Sequence, residues 1–420
     1  MDPASPPAPS TTRIFARVTL PFLAGYFVSY LFRSINAVAG PRIAAEFSLT
    51  AADLGLLSAM YFLSFALFQL PLGLLLDRYG PRRINATLLV IAAMGSFGFA
   101  LSRTPGELVL ARALIGIGVS GCLMAAFSAF VLWYPAERIA SMNGLAFATG
   151  MLGAIATTVP LEIALRALDW REIFQGIAAL ALAVGLALFF FTPERGGGRQ
   201  TPLREQLQGY SHIARDPAFW RVGLCVAGSQ AATISLFTLW VATWERDVVH
   251  YTGAEIARAL LAYALAMMAG YLGFGRAADA MARRGRDGLP LLVAGVAASS
   301  LCLGFILLGV RAGSLLLWAC FFACATAVVL AYALLSRRYP KEMVGRVNTA
   351  INVLGFVGMF TGQWLVGLVL DLWPRTPLGY APEAYTWAFG LLWLAQTAGL
   401  AWLWAGRRLF ATRQAANPGA

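Results

Sequence analysis

Near the start of the chain an arginine stands inside an apolar run. Tyr26, Tyr30 and Arg33 are spaced i, i+4 and i+7, so a helix brings two phenols and a guanidinium onto one face, with Ser29 and Asn36 beside them. A guanidinium is a planar fork of donors suited to a carboxylate or a similar oxyanion, and phenols add donors and acceptors around it. An arginine at membrane depth is costly and normally faces a cavity or a partner. Anion binding at Arg33 is therefore the functional reading, and pairing with a carboxylate or a helix end is the structural one. A second arginine, Arg112, sits in the run LVLARALIGIG. By helical rise Arg33 lies about 22 Å from one boundary at Val18, and Arg112 about 6 Å from the opposite boundary at Leu108, so the two share a similar depth.

These side chains need elements that cross a bilayer. Of 420 residues, 59% are hydrophobic and only 12% charged, and the mean hydropathy of +0.69 lies outside the soluble globular range. The net charge of +12 comes from basic residues scattered singly between apolar runs, which argues against a nucleic-acid partner. The five cysteines, Cys122, Cys225, Cys302, Cys320 and Cys324, all fall in apolar segments without metal or disulfide spacing. His212 and His250 read as loop residues, and Glu162, Glu172 and Glu245 as residues at membrane edges, so no acid–base or metal cluster is expected at membrane depth. No phosphate-cradling loop of the form GxxxxGK[ST] is present. The chain is expected to be no enzyme and to carry no cofactor or metal.

Twelve segments are long and apolar enough to span, over 18–39, 53–76, 84–101, 107–132, 140–163, 171–192, 218–243, 256–275, 288–310, 313–336, 346–371 and 384–405. One set of alternate loops, with the two termini, holds 22 Lys and Arg against 8 in the other set, which predicts cytoplasmic termini. The expected organisation is a disordered N-terminus over 1–17, a six-helix bundle over 18–192, a cytoplasmic linker over 193–217, a second bundle over 218–405 and a tail over 406–420.

The two six-helix units share sequence. Gly73 and Asp77, with Arg82 and Arg83 beyond, recur as Gly275 and Asp279 with Arg283 and Arg284. Tyr134, Pro135, Glu137, Asn143, Gly150 and Gly153 recur, each displaced by 205, as Tyr339, Pro340, Glu342, Asn348, Gly355 and Gly358. An even number of spans per unit makes them parallel repeats, an arrangement that places a solute site at the repeat interface. The fold class is an all-α membrane protein of twelve transmembrane helices in two parallel six-helix repeats.

The loop Gly73-Leu-Leu-Leu-Asp77-Arg78-Tyr-Gly80-Pro-Arg82-Arg83 resembles the signature GxxxDRxGRR of the major facilitator superfamily, and the run from Arg112 to Gly116 and Gly118 resembles its second motif. With the repeat, the resemblance covers the whole chain. It implies a secondary transporter working by alternating access, with helices 1, 4, 7 and 10 lining the cavity. Gly73, Asp77, Arg78, Gly80, Glu137, Asp279 and Glu342 are then expected to gate, the loop arginines pairing with neighbouring acids such as Glu137. Arg33, Tyr26, Tyr30, Asn36, Arg112, Gln230 and Gln363 are expected to meet the substrate. Thr233, Ser235, Trp240, Asn352 and Trp364 add polar groups to the second half.

The arginine in the first helix is similar to the pattern of organophosphate and organic-anion transporters. Phe32 stands where anion:cation symporters carry an aspartate, and Gly228–Thr233 lacks the second arginine of organophosphate antiporters. The implied protein is a multi-pass monomer in a bacterial inner (plasma) membrane. It would move a small organic anion across the lipid bilayer, with the proton left open as coupling ion. The alternatives are an exporter of a neutral or cationic molecule and a non-transporting sensor of the same fold.

Overall fold

The computed structural model describes residues 11–195, 210–284, 286–310, 313–340, 343–376, 379–407 and 409. Among the described residues, twelve helices are long and apolar enough to cross a membrane: α1 Thr12–Ser34, α2 Ala51–Tyr79, α3 Pro81–Leu101, α4 Pro105–Trp133, α5 Ser141–Ala167, α6 Trp170–Phe191, α7 Pro217–Val249, α8 Gly253–Arg283, α9 Leu289–Leu307, α10 Ser314–Ser336, α11 Val344–Leu370 and α12 Pro382–Ala405. Most of the expected 193–217 linker, and all of the tail beyond Leu409, lie outside the described residues.

The chain starts and stops these helices by local chemistry. Helices α2, α4, α6 and α8 each begin with a capping box, formed by Thr50 with Asp53, Thr104 with Glu107, Asp169 with Glu172 and Thr252 with Glu255. All four boxes lie at the end of the bundle remote from the start of α1, called the distal end below. Past α1 a further helix, Asn36–Phe47, ends at Ser48 with φ 51°. Asn36 donates to the Ser58 hydroxyl on α2 at 2.8 Å.

Two expected boundaries are corrected. The first helix begins at Thr12, inside the 1–17 segment expected to be disordered, and ends at Ser34 rather than at 39. The seventh span was placed at 218–243, with Glu245 at its edge, whereas α7 runs to Val249. Its hydrogen-bond ladder loosens to i→i+5 over Leu236–Trp240 and Glu245–Val249, which carries the helix through three charged residues. The charges are absorbed by neighbours: Tyr263 of α8 donates to Glu245 at 2.5 Å, and Tyr385 of α12 donates to Asp247 at 2.7 Å.

The repeat is visible as packing. An added Cβ on Gly153 of α5 would stand 2.4 Å from the Phe27 carbonyl of α1, and one on Gly358 of α11 would stand 2.3 Å from the Ala227 carbonyl of α7. The repeated tyrosines also correspond, each fastening the end of one helix to the start of another. The Tyr134 hydroxyl bonds Thr19 at 2.6 Å, and Tyr339 donates to Asp216 at 2.7 Å.

Candidate functional site

Arg33 is half-buried between the two six-helix units. Its guanidinium carbon lies 4.6 Å from the ring centre of Tyr30 and 5.7 Å from that of Phe65, both from the first six helices, and 5.2 Å from that of Phe356 on α11. Among the described residues no carboxylate stands within ion-pair distance of it, and its Nε finds no hydrogen-bond partner. Tyr26 packs edge-on against Tyr30 at 5.1 Å. Tyr61 of α2 donates to the Ser29 carbonyl at 3.2 Å and lies within electrostatic reach of Arg33. The charge is held by π faces and phenol oxygens rather than by a counter-ion.

Gly150 of α5 brings that helix onto the two phenols, since an added Cβ would meet Tyr26 at 2.6 Å and Tyr30 at 2.9 Å. Its repeat partner Gly355 faces Gln230 at 3.6 Å, so Gln230 stands in the second half where Tyr30 stands in the first. The residue three positions on is Arg33 in one case and Thr233 in the other.

Arg112 does not share this crevice. It is 1% exposed inside the first six helices, between the rings of Phe99 at 5.2 Å and Phe174 at 5.6 Å, and it donates to the Phe32 carbonyl at 2.9 Å. The two arginines agree in depth, but α4 turns Arg112 towards α3 and α6. Through this bond it holds the backbone next to Arg33.

Asn36 is 2% exposed and Gln363 is fully buried, so neither opens onto the crevice. Gln363 lies in the distal seal, where its carbonyl accepts from Trp240 Nε1 at 2.9 Å and its side-chain oxygen from Thr238 at 3.4 Å.

The distal seal joins the two units in layers. Phe65 and Phe356 stack at 4.0 Å and 5°. Further out Gly55 packs on Gln363 and Trp240, and Gly367 packs on Ala51. At the rim, Asp371 just beyond α11 accepts from the Ala51 amide at 3.0 Å, the Ala52 amide at 2.8 Å and the Tyr380 hydroxyl at 2.6 Å. A carboxylate from one unit thus caps the first turn of α2 in the other. Burial raises the Asp371 pKa, but the Tyr380 hydroxyl and these amides outweigh it and hold the carboxyl below its ordinary value. Burial and then Asp371 push the Tyr380 phenol up to about 12. Asp247 in turn fixes Tyr380 by accepting its amide at 3.2 Å. Gly379, at φ +105°, admits that contact, since a Cβ there would stand 2.2 Å from the Asp247 carboxyl carbon. The repeat supplies a counterpart: the Glu162 carboxylate of α5 lies against Gly253 in the first turn of α8.

At the opposite end, where the chain begins, the same four helices part. Added Cβ atoms on Gly73 of α2, Gly144 of α5, Gly275 of α8 and Gly345 of α11 would meet nothing within 4 Å. The packing that joins the two units around Arg33 thus gathers at the distal end, and these four proximal positions are unpacked. Around the signature loop, Gly80 ends α2 at φ 80°, Arg78 lies over the Tyr79 ring, and Asp77 and Asp279 are exposed. Among the described residues, the acid met by Arg82 and Arg83 is Glu194 beyond α6, at 3.4 Å and 2.7 Å. The Glu137 side chain and Glu342 lie outside the described residues.

Two six-helix units joined distally around a half-buried arginine are an arrangement suited to a membrane transporter. Residues 22–363 match the Major Facilitator Superfamily, and the chain belongs to that family. It is similar to the probable sulfoacetate transporter SauU of Cupriavidus necator, at 25% identity over 81% of this chain and 85% of the relative. It also resembles the hexuronate transporter of Bacillus subtilis, at 31% identity over 41% of each chain. Its fold matches the crystal structure of a bacterial homolog of the human lysosomal transporter Spinster, with a TM-score of 0.74, 17% identity and coverage of 96% of this chain and 98% of that one.

Proposed function

We propose that this transporter is a secondary carrier of a small organic anion, a carboxylate or sulfonate, bound at Arg33 and moved by alternating access. The carrying observation is the half-buried Arg33, lodged between aromatic rings from both units with no described carboxylate to neutralise it. An unpaired cation in that setting gains from an anionic guest, and a carboxylate can meet the fork with two bonds. The names of the two relatives, for sulfoacetate and hexuronate, agree with an anionic substrate.

The loop charge bias supports a cytoplasmic proximal end, and the unpacked glycines there support reading this conformation as inward-facing. Gly73, Asp77, Arg78, Gly80, Glu137, Asp279 and Glu342 then belong to the cytoplasmic gate that closes in the other state. Uptake into proteoliposomes, screened over carboxylates, sulfonates and their neutral analogues, tests the substrate class. Acceleration by an imposed inward proton gradient supports the proton as coupling ion, and transport of only neutral or cationic compounds rejects the reading.

A further inference from the structure

The second unit contributes its own side of the crevice. Tyr271 of α8, Tyr332 of α10 and Asn352 of α11 are all half-buried. Both tyrosines lie within electrostatic reach of Arg33, yet among the described residues neither hydrogen-bonds to it. Tyr332 donates to Asn352 Oδ1 at 3.2 Å. That bond leaves the Asn352 amide hydrogens to donate and the Tyr332 oxygen to accept, a complement for a hydroxyl group, which does both.

The charge on these walls is limited. Of the two arginines at membrane depth, Arg112 is sealed between Phe99 and Phe174, and Thr233 fills the place in the second unit that Arg33 holds in the first. One guanidinium thus faces a wall of neutral hydrogen-bonding groups. A second anionic charge on the guest would be desolvated without a cation to meet it, which costs more than a neutral hydroxyl placed on the same groups.

We propose that Tyr332, Asn352 and Tyr271 form a second subsite that binds the neutral, hydroxyl-bearing end of the guest, so that the substrate is a singly charged hydroxy acid. This rests on the anion reading of Arg33 and narrows it.

The test uses the purified full-length protein and calorimetric titration with galactose, galacturonate and galactarate, which carry no, one and two carboxylates on one carbon skeleton. Hexanoate serves as a monoanion without hydroxyls. Galacturonate should bind about tenfold or more tightly than either galactose or galactarate. Tyr332→Phe and Asn352→Ala should weaken galacturonate several-fold and leave hexanoate unchanged. Galactarate binding as tightly as galacturonate, no binding of galacturonate, or equal losses for galacturonate and hexanoate in both variants would overturn the subsite. Galactose binding as well as galacturonate would instead defeat the Arg33 reading on which it stands.

Discussion

Replacing Asp371 by Asn should open the distal seal. The carboxylate of Asp371 accepts from the amides of Ala51 and Ala52 at 3.0 and 2.8 Å and from Tyr380 at 2.6 Å. Asn keeps one acceptor oxygen but loses the second and the charge that complements the start of α2. A charge-assisted bond is worth about 1.5–3 kcal/mol against about 0.5–1.5 for a neutral one. Because Asp371 is exposed, solvent screening reduces the difference, leaving about 1–2 kcal/mol, or a roughly 5–30-fold shift in the ratio of distally closed to distally open forms. Spin labels at Arg103→Cys and Glu383→Cys, both exposed distal positions, report this ratio in a cysteine-free background by pulsed dipolar spectroscopy. The variant should gain population at longer distances. Since the Asp371 pKa lies below its ordinary value, the cap is fully present above about pH 4 and is lost only as pH falls through the depressed value. The wild-type distribution should thus be unaltered by this group between about pH 5 and 8. Identical distributions for wild type and Asp371→Asn would refute the cap as part of the seal.

Three further outcomes follow from packing. An added Cβ at Gly73 meets nothing within 4 Å, so Gly73→Ala should leave melting in detergent unchanged while slowing transport, as expected of the gate proposed at that position. Gly118→Ala would place a Cβ 2.2 Å from the Ala92 amide nitrogen, and overpacking of about 1–3 kcal/mol should lower the melting temperature. Arg112→Met removes the bond to the Phe32 carbonyl from outside the crevice, so turnover should fall alike for every transported solute without change in the preference for anions over neutral analogues.

The twelve helices were legible because each needs about 20 apolar residues, and the capping boxes mark four of their starts. The seventh helix was read short because Glu245, Arg246 and Asp247 look like an end in sequence. The phenols of Tyr263 and Tyr385 that absorb the two acids come from α8 and α12. That Arg33 shares a helical face with Tyr26 and Tyr30 was legible from their spacing. Arg112 was misplaced because depth follows from counting residues, whereas the face a side chain takes depends on packing partners such as Phe99 and Phe174. Asp371 left no signal at all, since two of its three partners are backbone amides more than 300 positions away and every residue has a backbone amide. Asn352 stood among the polar groups noted in the second half, but Tyr332 did not, and nothing in the sequence pairs the two until α10 and α11 bring them together.

The central claim is that Arg33 holds an anion. Direct binding of a transported carboxylate or sulfonate to purified wild type and Arg33→Gln, with Arg33→Lys beside them, tests it most directly. The Gln variant should lose about 2 kcal/mol or more, roughly thirtyfold in affinity, and the Lys variant less, because it keeps the charge but not the fork. Unchanged affinity of Arg33→Gln for an anionic substrate would contradict the account and remove Arg33 from the site.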